Sequence, residues 1–130
     1  MGKQLCMIAL AATMLAMPAW AQQEVEQQVM ALANADRAQQ GLAPLKWDPS
    51  LAQAAADHAQ LMAQQPALSH QYPGEADLVT RGGAAGAHFR SIAENVALAS
   101  SPQALEKEWM NSAPHRANIL NPACSRAMTR

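Results

Sequence analysis

The chain has 130 residues, nine Lys or Arg against ten Asp or Glu, a formal net charge of −1, and a hydrophobic content of 50%. That balance excludes the basic face a nucleic-acid binder needs and the cationic cluster that would hold an anionic membrane. The length suits one small domain. Three Trp, one Phe and one Tyr are few aromatics, and much of the apolar content is Ala, which predicts close-packed helices of modest stability.

Lys3 supplies a positive start, Leu5 to Met17 form an almost wholly apolar run, Pro18 breaks it, and Ala19-Trp20-Ala21 offers an A-x-A site before Gln22. The run falls short of the roughly 18 residues expected of a membrane span. Residues 1–21 therefore read as a Sec-type signal peptide cleaved after Ala21. Residues 22–130 then read as a secreted or periplasmic domain that does not span the membrane after processing. A retained anchor is the alternative. Cys6 lies inside the apolar run rather than at its end, so it is not placed for lipid attachment. Processing leaves Cys124 as the one cysteine, which precludes an intramolecular bridge and makes intermolecular pairing the simplest use of the thiol.

Glu24 to Gln40 read as the first helix, with Val25, Val29 and Leu32 on one stripe and Gly41 placed to end it. Asn34 and Arg37 lie three apart on a neighbouring face. The link 41–47 ends in Trp47, an aromatic able to plug the core. Asp48 followed by Pro49 predicts an N-cap for a second helix reaching about Gln65. His58 falls on that helix's apolar stripe, which favours a satisfied core histidine over a ligand. From Pro66 to Ser91 the pattern dissolves, apart from a short helix near 76–82. The glycines at 82, 83 and 86 do not form a nucleotide-binding fingerprint. Ser91 to Leu98 reads as a strand, Ser101-Pro102 caps a third helix ending near Trp109 or Met110, and Pro114 and Asn121-Pro122 bracket a last helical turn.

The order of several short motifs is more telling than any one of them. They are Asn34-x-x-Arg37, Gly41-Leu42-x-Pro44-Leu45-x-Trp47-Asp48, Ala56-Asp57-His58-Ala59, Ser69-His70, Glu94-Asn95-Val96-Ala97, and Trp109 through His115-Arg116-x-Asn118-Ile119-Leu120. In this order they resemble the CAP superfamily of cysteine-rich secretory proteins, antigen 5 and pathogenesis-related proteins, in its bacterial form. The resemblance spans about residues 25 to 124. It implies an α+β fold, an α-β-α sandwich with helices flanking a small antiparallel sheet, and a buried hydrogen-bonding role for Asn34 and Arg37. It also implies a cleft lined by two histidines and two acids, in which His70, Glu94 and His115 match three of the four. The other acid usually follows the tryptophan. Here Asn111, Ser112 and Ala113 stand there, and Glu108 would point to another helix face.

In relatives two further strands follow the Asn-Pro turn, a hairpin needing roughly 15 residues or more. Ten residues follow Leu120, and the tail from Cys124 shows no clean alternation. The expectation is a domain incomplete at its C-terminus and mostly helical, with an unpaired strand at 91–98. Such an edge invites homodimerisation, as does the Cys124 thiol.

Three functions follow. The first is a non-enzymatic binding module for an unknown small-molecule, lipid, envelope or protein ligand. The second is a site for a divalent metal such as zinc, built from His70, Glu94 and His115. The third is a hydrolase using Ser69 beside His70, Ser112 near His115, or Cys124. It lacks a nucleophile elbow, and neighbours in sequence do not by themselves supply catalytic geometry.

Overall fold

The computed structural model describes residues 4–10 and 18–127. The elements run β1 (Gln4–Leu10), α1 (Ala19–Gln39), β2 (Lys46–Trp47), α2 (Pro49–Met62), α3 (Leu78–Ala84), β3 (Ser91–Ala97), α4 (Pro102–Met110), α5 (Ala113–Ile119) and β4 (Cys124–Ala127). The fold class is α+β and predominantly helical. The strands form one sheet in the order β2-β4-β1-β3.

Each strand pair among the described residues is parallel, where the resemblance implied an antiparallel sheet. Every neighbouring pair is joined by a connection that contains helices, the long crossover that parallel strands require. The strand expected to stand unpaired at 91–98 is paired on one side, since β3 pairs with β1 from Ser91 opposite Gln4 to Ala97 opposite Leu10, and as the last strand of the order it keeps its other edge. The tail expected to lack strand character contributes β4, which pairs with both β1 and β2. Residues 4–10 belong to the segment read as a leader, so this sheet is that of the full-length chain. The rest of the apolar run, to Met17, lies outside the described residues.

Local signals set the helix ends. The Asp48 carboxylate accepts from the N–H groups of Ser50 and Leu51, Asp77 from Thr80, and Ser101 from Ala104. Asp77 explains why α3 begins at Leu78, two residues later than the pattern suggested. In contrast, α1 begins five residues earlier than expected, after Pro18, and takes the A-x-A tripeptide into its first turn. Gly41 follows α1 with φ +69°, a left-handed conformation that costs other residues about 1 kcal/mol.

Two apolar clusters flank the sheet. Leu51, Ala54, Ala55 and Met62 of α2 pack with Ala87 and Val96, and Phe89, Ile92 and Tyr72 close the edge. Val29 and Ala33 of α1 pack with Ala97, Leu105, Trp109 and Ile119. The alanines bring backbones together, and Trp109, with no exposed surface, fills the volume they leave. Trp47 does not plug the core. Leu45 does, at 3% exposure, while Trp47 is 37% exposed and lines a surface cavity of about 390 Å³ with Gln23, Gln27 and Ala52.

Asn34 and Arg37 act as clamps. The Asn34 amide donates to the Leu45 carbonyl at 3.1 Å and accepts from the Leu45 N–H at 2.7 Å, fixing the link before β2. Arg37 is 1% exposed and spends its guanidinium on four carbonyls, those of Ala43, Ile119, Asn121 and Cys124, at 2.8–3.0 Å. One side chain thereby ties α1 to the chain after α5. Cys124 is buried and disulfide-bonded in the full-length chain, whereas the unpaired thiol was the expectation for the processed one. Among the described residues no helix is long and apolar enough to cross a membrane.

Candidate functional site

β3 supplies the acid at the centre of the site. Strand alternation turns successive side chains to opposite faces, so Glu94 and Asn95 serve different partners. The Glu94 side chain is 1% exposed and sits between two histidines and an arginine. His70 Nδ1 lies 3.0 Å from Oε1, and Arg81 Nη1 donates to Oε2 at 3.0 Å while Nη2 reaches Oε1 at 3.4 Å. His58 Nε2 stands 3.8 Å from Oε1. A carboxylate this deep requires compensation, and here the guanidinium supplies it.

Arg81 organises the loop around this acid. Its Nη2 also donates to the His70 carbonyl at 2.8 Å, its Nε donates to the Ala76 carbonyl at 3.1 Å, and its Nε lies 3.5 Å from Glu75 Oε1. Glu75 in turn bonds His58 Nδ1 and accepts from the Tyr72 N–H at 2.9 Å. Burial pushes the Glu75 carboxyl up. The hydrogen bonds from His58 and Tyr72, with the charges of His58 and Arg81, outweigh it and hold the group below its ordinary value. The Ser69 carbonyl can only accept, so His58 Nε2 donates to it at 2.9 Å. His58 is therefore a core histidine with both ring nitrogens occupied, 1% exposed.

His70 is the outward-facing member, with 59% of its side chain exposed. Glu94 fixes its Nδ1 side, which orients the ring and leaves Nε2 for a ligand. His115 comes from α5. Burial lowers its pKa, the neighbouring His70 lowers it further, and Glu108 opposes both. His70 and His115 are thus close enough to repel each other's protonation, and Glu108, although off the motif position, acts on the second histidine. His115 Nδ1 is buried with no hydrogen-bond partner among the described residues. Asn95 positions this segment: its amide donates to the His115 carbonyl at 3.0 Å and its oxygen accepts from Asn118 at 2.7 Å.

The sequence-predicted residues fall into three groups. His70, Glu94 and His115 converge, with His58 behind them. Asn95, Asn118 and Trp109 hold α4 and α5 against the sheet. Asn34, Arg37 and Trp47 stand elsewhere, on the clamp and the surface. Sequence reasoning missed Arg81 and Glu75. Arg81 lies in the stretch where the sequence pattern dissolves, and its one sequence signal is a charge placed just before two glycines.

The arrangement restricts the chemistry. The Ser69 hydroxyl donates to the Gln71 carbonyl at 2.7 Å and accepts from the Gln71 N–H at 3.2 Å, a local turn that leaves it unpaired with His70. Among the described residues no group of three or more His, Cys, Asp or Glu is placed to hold a metal ion. The residues proposed as zinc ligands do not fit that role as they stand, because the Arg81 guanidinium already balances the Glu94 charge and His70 Nδ1 is turned to Glu94 itself.

Comparison with known proteins identifies a family for the sequence. The model of the cysteine-rich secretory protein family, CAP, matches residues 30–127. Uncharacterized protein YkwD of Bacillus subtilis (strain 168) is 37% identical over 98 residues, 75% of this chain and 38% of that protein. Uncharacterized membrane protein YlbC of the same organism is 34% identical over 98 residues, 74% of this chain and 28% of that protein. The chain thus spans well under two thirds of either relative. No solved structure gives a significant match.

Proposed function

Because the chain belongs to the cysteine-rich secretory protein (CAP) family, we propose that it is a secreted or periplasmic binding module whose cleft recognises a ligand without transforming it. The observation that carries this reading is the internal balance of the cleft. Glu94 is matched by Arg81, Glu75 by His58 and Arg81, and Ser69 is held by Gln71. No nucleophile is paired with a base among these groups, and the ring of His70 is the part left to solvent. Export rests on the positive start, the apolar run and the A-x-A site.

A two-part experiment tests the reading. Expression in a Gram-negative host followed by fractionation locates the chain, and recovery in the cytoplasm with an intact N-terminus would refute export. Wild type and His70→Ala are then passed over phospholipid vesicles, envelope glycans and envelope proteins. The expected result is saturable retention of wild type on one of these classes, weakened at least tenfold by the substitution. Turnover of a generic ester or peptide substrate that His70→Ala abolishes would replace recognition with catalysis.

A further inference from the structure

One buried acid plays no part in the cleft. Glu106 lies on α4 between Leu105 and Trp109, both fully buried against α1, and is itself 5% exposed. Both of its carboxylate oxygens are buried without a hydrogen-bond partner among the described residues. Asp36 extends the α1 stripe of Val29 and Ala33 by one turn, toward the same part of α4. Unsatisfied carboxylate oxygens inside a helix interface are rare enough to require an explanation.

We propose that Glu106 and Asp36 form a proton-operated latch: α4 stays docked on α1 while the pair keeps one proton and loosens when that proton is lost. Burial, and after it the neighbouring Asp36 carboxyl, raises the Glu106 pKa to about 8. The charged groups on the elements packed against α4 are Glu24, Glu26, Asp36 and Arg37 on α1, Glu94 on β3, and His115 and Arg116 on α5. Of these, Asp36 is the one that acts on Glu106. Arg37 is committed to four carbonyls and offers it no counter-charge. Loosening α4 carries the cleft with it, because α4 runs through Trp109 directly into the segment that bears His115 and Asn118.

In the opened state Glu106 ionises at an ordinary carboxyl pKa, and in the docked state only at a raised one. Docking is therefore strongest in acid and is lost as pH rises toward the docked value. Hydrogen exchange on the full-length chain, read by mass spectrometry as protection factors at each pH, tests the proposal. Between pH 6 and pH 9 the α4 amides should lose protection by at least tenfold, while those of α2 hold steady. Glu106→Gln should abolish the loss, and Asp36→Asn, which removes only part of the cause, should shrink it. Constant α4 protection in wild type, or an equal loss in either folded variant, overturns the latch.

Discussion

Replacing Arg81 with methionine removes the one guanidinium balancing a carboxylate at 1% exposure. The Arg81→Met chain keeps similar bulk but loses both contacts to Glu94, the bond to the His70 carbonyl and the approach to Glu75. Breaking one partner from a buried ion pair costs about 3–5 kcal/mol, because the remaining charge stays desolvated. His70 still reaches Oε1 at 3.0 Å, which offsets part of the loss and places the expected cost near 3 kcal/mol. A domain of this size has roughly 5–15 kcal/mol in total, so the variant should fold with a clearly lowered urea midpoint and an unchanged slope. Adding Glu94→Gln removes the stranded charge, and the double variant should be more stable than the summed single costs predict by about 2 kcal/mol. An Arg81→Met cost below about 1 kcal/mol, or strict additivity with Glu94→Gln, would refute the idea that Glu94 depends on this guanidinium.

Other outcomes follow from the same geometry. Arg37→Met leaves four carbonyls without their donor, and at roughly 1–3 kcal/mol for each buried group it should cost about 4 kcal/mol in urea unfolding. Asn34→Ala removes both bonds to Leu45 and should cost about 1–2 kcal/mol, read in the same assay. His115 has a lowered pKa, chiefly from burial, so the unfolded chain takes up its proton first as pH falls. Its contribution to stability is then lost as pH falls below about 6.5, and His115→Gln should flatten the stability profile between pH 7 and 5. Asn95→Ala unties the His115 carbonyl and Asn118 together, and should raise hydrogen exchange in α5 more than in α2.

The helices were legible because their signals are local. Asp48-Pro49 and Ser101-Pro102 set caps within three residues of the groups they satisfy, and the stripes carrying Val29 on α1 and Leu51 on α2 follow helical spacing. The sheet was much less so. β4 has four residues and β2 two, too short for alternation to register, and the pairing of β3 with β1 joins residues nearly ninety positions apart. At the site, His70, Glu94 and His115 were found through family motifs, while Arg81 and Glu75 depended on loop geometry that no residue spacing encodes. Arg37 shows the same limit from the other side. Its motif was visible, but its partners are backbone carbonyls, which every sequence has and none marks. Trp47 misled because a large aromatic at the end of a Pro- and Gly-punctuated link reads as core, whereas the smaller Leu45 occupies that position.

Zinc calorimetry addresses most directly whether this cleft is a recognition surface balanced by its own arginine. Titrated into the full-length chain at neutral pH, Zn²⁺ should give no one-to-one binding at micromolar concentration, and Arg81→Met should be the variant in which affinity rises. Stoichiometric micromolar binding to wild type that disappears in both His70→Ala and Glu94→Gln would show a metal centre instead.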